Sequence, residues 1–216
     1  MVKSGHSIDS VILDSKIESK KDLEIFFERT QNSFPKILFY DLEEMGIPFF
    51  FVNNHSSLKN VNLIKSRKID LIINAGTPRI VKSNLIEAAN IGVVSVHPGL
   101  LPEFRGCTCV EWAIYLDQPI GNTVFFINTK IDEGPIIIKE KVMFKKSDNY
   151  SDIRTKVYIK GFDLLSKGIS KIINKNLNPQ KLPNQKKGSY FKPIDKEKML
   201  KVLNIIEQGN YKYQCL

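Results

Sequence analysis

Cysteine is scarce in this sequence, three residues in 216, two of them in Cys107-Thr108-Cys109. So few thiols build no disulfide framework of the kind that staples small secreted domains. With no second Cys pair, and no histidine nearby beyond His97, the pattern reads as buried or loop thiols and no metal site is expected. Long hydrophobic runs are missing as well. Ile47 to Val52 and Leu71 to Ala75 fall far short of the roughly 20 apolar residues that span a bilayer. The opening Met1-Val2-Lys3-Ser4-Gly5-His6 carries no apolar signal core. These absences argue against a disulfide scaffold, a membrane partner and a secreted product, and the expected location is the cytoplasm.

What is present is ordinary for a folded chain: 42% hydrophobic and 25% charged residues, neither disordered nor fibrous in composition. The length suits one main domain. Net charge is +9, from 32 Lys and Arg against 23 Asp and Glu, which is compatible with anionic ligands. Much of the excess lies between Lys141 and Lys201, and no stretch alternates arginine with exposed aromatics as nucleic-acid surfaces often do. A solvated Lys-rich surface is the reading, and nucleic acid is disfavoured as a partner.

Strand-like and helix-like segments alternate through the first two thirds, the pattern of an α/β fold with a largely parallel sheet flanked by helices. Ser10 to Leu13, Ile47 to Val52, Ile69 to Ile73, Val93 to His97, Thr123 to Ile127 and Ile136 to Val142 read as strands. Lys21 to Arg29, Lys36 to Met45, Asn60 to Arg67, Asn84 to Asn90, Thr108 to Tyr115 and Ser151 to Ile173 carry apolar residues at helical spacing. Residues 1–175 are expected to form the main domain. Residues 176–216 read as a basic tail with a short helix, Lys196 to Glu207.

Pro98 has no amide hydrogen and must end the strand that carries Ser95 and His97. Two residues apart on a strand, these side chains leave the same face, with Cα atoms roughly 6.6 Å apart. They therefore sit together at a strand's carboxyl end, where open parallel sheets bind ligands. The loop Pro98-Gly99-Leu100-Leu101-Pro102-Glu103-Phe104-Arg105-Gly106 is stiffened by two prolines. Further along, Ile131-Asp132-Glu133-Gly134-Pro135 reads as a turn able to bring a carboxylate to the imidazole, a proton-transfer pairing. Trp112, on the helix after the loop, reads as core in preference to a wall of the ligand pocket, and His6 and His55 as structural.

Val94 to Gly106 together with Ile131 to Pro135, in sequence and in spacing, resemble the signature of the formyltransferase superfamily. The resemblance runs from about Leu71 to Val142 and includes Ala75-Gly76-Thr77-Pro78-Arg79-Ile80, which is similar to that family's folate-side loop. It implies a Rossmann-like sheet and the cofactor 10-formyltetrahydrofolate. Carried over by position, it implies His97 as acid or base toward the incoming amine and Asp132 as the group that orients and polarises it. Gly76, Thr77, Pro78, Arg79, Ile80, Glu133 and Gly134 would then face the cofactor, and Pro98, Gly99, Leu100, Arg105 and Gly106 the acceptor. Amine attack builds charge on the formyl oxygen. The family meets that charge with an asparagine two residues before the histidine, the position held here by Ser95. The resemblance implies Ser95 as a third catalytic residue, its hydroxyl able to donate but reaching about one bond less far than a carboxamide.

A second departure lies at the start. The family opens with an apolar strand ahead of the segment resembling Ser10 to Leu13, so the first strand is expected to be missing or replaced. Arg105-Gly106, and the tail Gly188-Ser189-Tyr190-Phe191-Lys192-Pro193, are more similar to family members that formylate nucleotide-linked amino sugars. That acceptor is the expectation. Glycinamide ribonucleotide, water as in a formyltetrahydrofolate hydrolase, and a catalytically weakened folate or nucleotide binder stand as alternatives. The expected partner is a small-molecule amine, with a homo-oligomer left open.

Overall fold

The computed structural model describes residues 5–14, 20–33, 39–77 and 79–215. The first half alternates β1 (Val11–Asp14), α1 (Lys20–Thr30), α2 (Phe39–Glu44), β2 (Phe49–Val52), α3 (Leu58–Ser66), β3 (Leu71–Asn74), α4 (Ser83–Ile86) and β4 (Gly92–His97). The second half holds β5 (Phe104–Gly106), α5 (Cys109–Tyr115), β6 (Gly121–Phe126), β7 (Ile136–Lys141), α6 (Tyr150–Lys175), β8 (Ser189–Phe191) and α7 (Lys196–Glu207). The expected α/β class holds. β1 pairs parallel with β2, β3 with β4, and β5 with β8. The sheet then turns antiparallel, β4 with β6 and β6 with β7.

Local chemistry explains the boundaries. Ser57 caps α3 by accepting from the Asn60 amide, and Asn149 with Asp152 closes a capping box on α6, each satisfying amides the helix leaves unpaired. Asn176 ends α6 in the left-handed conformation that Asn tolerates. The expected helix over Asn84 to Asn90 is shorter and earlier, Ser83–Ile86. Of the helix expected over Lys36 to Met45, residues 36–38 lie outside the described residues.

Buried clusters hold the layers together, among them one of Val61, Ile64, Leu85 and Val93 that packs α3 and α4 on β4. Another joins β4, β6 and β7 to α6 through Val94, Val124, Phe126, Ile137, Leu165 and Ile172. A third joins α5, α6 and α7 through Val110, Ile114, Ile153, Val202 and Ile206, with Tyr211 beyond them. The helix Lys196–Glu207 of the basic tail thus shares a core with residues 109–157. Within it the Glu111 carboxylate lies 3.5 Å from the Arg154 guanidinium, both almost wholly buried. Burial alone would raise the Glu111 carboxyl, but Arg154 and the Tyr150 hydroxyl outweigh it and hold it below its ordinary value.

Between the β1–β2 sheet and the β3–β4–β6–β7 sheet lies a gap. β1 and β3 each form a sheet edge, and a cavity of about 1130 Å³ is lined by both, with Ile64 and Val93 among the lining residues on one side and Ile169 and Ile172 of α6 on the other. Asp9, just ahead of β1, pairs with Arg67, just ahead of β3, at 2.8 Å. The two edges therefore begin at the same end of the gap. No described strand fills it, and it is here that the strand expected to be missing or replaced would fit.

The Glu111–Arg154 pair is expected to dominate local stability. Glu111→Ala or Arg154→Ala alone should cost about 3–5 kcal/mol by leaving a buried charge uncompensated. Denaturant titration checks this, and the double replacement should cost less than the two singles summed.

Candidate active site

β4 ends where its sequence says it must, at Pro98, and presents Ser95 and His97 at the carboxyl edge of the sheet. The chain then folds back over the imidazole. His97 Nε2 lies 2.8 Å from the Phe104 carbonyl oxygen. A carbonyl only accepts, so Nε2 carries the proton and, in the neutral ring, Nδ1 carries the lone pair. Gly99 makes this fold possible, because a Cβ there would stand 2.6 Å from His97 Nε2. Thr123, opposite His97 on β6, pins the same loop: its hydroxyl donates to Gly99 O at 2.7 Å and accepts from the Leu101 amide at 3.0 Å.

Asp132 reaches the ring from the turn between β6 and β7. Its Oδ2 stands 3.6 Å from His97 Nδ1 and accepts from the Gly106 amide at 2.9 Å. The backbone at Asp132 is left-handed, φ 53°, a region that Asp enters more readily than most residues. The turn is held from two sides. Arg105 pairs with Glu133 and donates to Gly188 O at 2.9 Å, and Gln185 donates to Asp132 O at 3.2 Å and to Gly134 O at 2.5 Å. Arg105 also holds the Glu133 carboxyl below its ordinary value.

The tail closes the site. β8 pairs with β5 in parallel, and Phe191 stacks on Phe104 with ring centroids 5.3 Å apart. Gly106, at φ 95°, allows this, since a Cβ would come within 2.3 Å of Phe191 O. Trp112 is half-buried and donates its indole N–H to Lys192 O at 2.8 Å. It lies against Phe191, in the aromatic fringe of the α5–α7 cluster.

Burial pushes the His97 imidazole below its ordinary value, while Asp132 and the Phe104 carbonyl pull it part of the way back. The ring is therefore neutral at neutral pH, with Nδ1 turned to a carboxylate and free to take a proton. Taking it creates an imidazolium that Asp132 stabilises. Cys109 is buried close by, and burial, with Asp132 adding to it, pushes its thiol far above the ordinary value. It is no nucleophile at neutral pH.

The remaining sequence candidates take distinct places. The Ser95 hydroxyl donates to Asn74 O at 3.2 Å on the neighbouring strand. Leu100 is buried, packed toward Gly121, so only its backbone is left to meet a ligand; Pro98 is half-buried at the loop's start. Gly76 is exposed, with open space where a Cβ would stand. Thr77 accepts from the Arg79 amide at 3.3 Å, and Arg79 donates to Asn53 O at 2.9 Å, tying the loop to the end of β2. Ile80 is 73% exposed, and Pro78 lies outside the described residues. Asn74, Thr123 and Gln185 were not singled out from sequence. Asn74 follows the expected strand end and is one residue before the loop, the one signal that pointed near it.

A profile described as formyl transferase matches residues 8–169. The methionyl-tRNA formyltransferase of Bacillus velezensis is 29% identical over 158 residues, 73% of this chain and 50% of that protein. That of Bacillus subtilis is 28% identical over 156 residues, 72% and 49%. The chain thus spans about half the length of these curated relatives. Among solved structures, a sugar N-formyltransferase from a Shewanella species is similar with a TM-score of 0.54 and 25% identity, over 71% of this chain and 59% of that one. A phosphoribosylglycinamide formyltransferase from Bacillus halodurans shares the fold with a TM-score of 0.60 at 24% identity, over 82% and 87%.

Asp132→Asn should lower the His97 pKa further, because the carboxylate favours the charged ring and its loss leaves burial opposed by the Phe104 carbonyl alone. Nitrogen NMR of the three imidazoles against pH reads this directly. An unmoved His97 titration would show that the two side chains do not interact.

Proposed function

The chain belongs to the formyl transferase family, and from that premise we propose that it is an N-formyltransferase moving a formyl group to an amine. The observation that carries the reading is the geometry of His97, its Nε2 on the Phe104 carbonyl at 2.8 Å and its Nδ1 facing Asp132 at 3.6 Å. Such a nitrogen takes the proton an attacking amine must lose, and the carboxylate beside it stabilises the charge that results. The proton then stands on His97 for return to the departing nitrogen.

10-Formyltetrahydrofolate would supply the formyl carbon. The residues present fit it: Gly76 leaves open space on an exposed loop at the end of β3, beside the strand that ends in His97. Gly76, Thr77, Pro78, Arg79 and Ile80 are assigned to this side, with Glu133 and Gly134 at the turn below Asp132. Pro98, Gly99, Leu100, Arg105 and Gly106 are assigned to the acceptor, Leu100 through its backbone. The loop over His97 and the tail strand β8 shelter the ring from water, which strengthens the Asp132–His97 interaction.

A nucleotide-linked amino sugar is the acceptor favoured here. Its support is the resemblance at Arg105-Gly106 and in the tail from Gly188, the likeness to the Shewanella sugar N-formyltransferase, and a fold shared with the formyltransferase PseJ, solved with a UDP-linked formamido sugar and tetrahydrofolate. The net charge of +9 suits an anionic acceptor. Residues 1–175 are assigned as the catalytic domain and residues 176–216 as a tail that completes its site.

The test is tetrahydrofolate release from 10-formyltetrahydrofolate with a UDP-linked amino sugar, with glycinamide ribonucleotide, and with no amine. Release only with the sugar supports the reading. Release without amine means a hydrolase, and binding without release a non-catalytic homologue. His97→Ala should lower kcat at least about a hundredfold while the protein still folds, the scale of a lost general base. The acid limb of the wild-type pH–rate profile should fall below the ordinary histidine range, because the active form is the unprotonated ring whose pKa burial lowers. Wild-type turnover in His97→Ala would sink the assignment.

A further inference from the structure

Charge that develops on a formyl oxygen needs a hydrogen-bond donor aimed at it. On the face of the sheet that carries His97, Thr123 donates to Gly99 O, and Lys139 donates to Leu101 O and Glu103. His97 Nε2–H is committed to Phe104 O. The Ser95 hydroxyl, its one proton, is committed to Asn74 O. Asn74 is different. Its Oδ1 accepts from the Gly76 amide at 3.2 Å, which fixes the carboxamide and leaves Nδ2 with no acceptor among the described residues.

Its position suits the task. Asn74 ends β3 and is the register partner of Ser95, and register partners on parallel strands share a face. His97 lies on that face two residues further along β4, so the Asn74 and His97 Cα atoms are roughly 8 Å apart on the diagonal. At that spacing the two side chains can address one small planar group.

We propose that Asn74 is a catalytic residue, donating from its side-chain amide to the formyl oxygen in the role that the committed Ser95 hydroxyl does not fill. This rests on the formyl transfer reading above. In the transfer a C–N bond to the acceptor forms and the donor's C–N bond breaks. The acceptor nitrogen loses one proton and the departing nitrogen gains one, so the carbonyl oxygen ends as it began and no oxidant or reductant is needed. Only in between does the oxygen carry negative charge, and there the Asn74 N–H stabilises it. The carboxamide has moved one strand across the sheet, from the position of Ser95 to its neighbour.

The experiment compares wild type, Asn74→Ala, Asn74→Asp and the double variant Asn74→Ala/Ser95→Asn. Asn74→Asp keeps an oxygen for the Gly76 amide but has no N–H, so a merely structural role predicts wild-type behaviour for it. A catalytic role predicts that both single variants lose on the order of a hundredfold to a thousandfold in kcat, with little change in the KM for 10-formyltetrahydrofolate. The double variant, with a carboxamide restored at 95, should recover at least tenfold.

A second readout needs no turnover. Formyl-labelled 10-formyltetrahydrofolate bound without amine should show a carbonyl stretch at higher frequency in Asn74→Ala and Asn74→Asp than in wild type. If wild type turns over and Asn74→Asp matches it in kcat and in carbonyl frequency, Asn74 is structural and this assignment alone falls. If wild type neither binds the donor nor releases tetrahydrofolate, the formyl transfer reading falls, and the role of Asn74 with it.

Discussion

The contact on which most of this site depends is the bond from His97 Nε2 to the Phe104 carbonyl. It decides the tautomer, and so decides that Nδ1 is the nitrogen turned toward Asp132. It also draws the loop from Pro98 back over its own strand, which brings Phe104 to Gly106 alongside β8. From there Gly106 offers its amide to Asp132, closing a circuit in which imidazole, loop and carboxylate fix one another. No member of that circuit is set by its own local preference. Each is over-determined by the other two, which is how a non-glycine residue is held at φ 53°.

The supports around the circuit come from far apart in the chain. Thr123 anchors the loop from below, satisfying a buried carbonyl and a buried amide that would otherwise be costly to strand. Gln185 and Gly188 approach from the tail, beyond the residues that match the family profile. The family-like part of the chain therefore carries the candidate proton-transfer pair, while a segment outside the match braces the turn on which Asp132 sits.

The sequence made some of this legible and hid the rest for identifiable reasons. The end of β4 could be read to the residue because Pro98 cannot continue a ladder. The long helix over Tyr150–Lys175 showed through its apolar spacing. β5 and β8 could not be read, being three residues each and formed only by pairing across a long separation. Local propensity says nothing of such pairs. Ser95 could be placed on the face of His97, but the acceptor of its hydroxyl lies on another strand, and one side chain's periodicity carries no information about it. Leu100 looked available in a loop, yet the loop is pinned so tightly that its side chain turns into the core. Asn74 fell outside the apolar run used to mark its strand.

The pairing of β5 with β8 also imposes an order of events on synthesis. When Asp132 leaves the ribosome, both partners of the proton-transfer pair exist, and β4, β6 and α6 can pack soon after from contacts close in sequence. Phe104 still faces solvent then, and the turn at Asp132 has no Gln185 beneath it. The loop gains its second strand only once Phe191 has emerged, so the nascent chain can build the core of β4, β6, β7 and α6 early, while the core shared with α7 and a finished site come close to last, since contacts between distant segments form late. A chain stopped before Gln185 would carry every residue of the signature and still leave the loop over His97 without its closing strand.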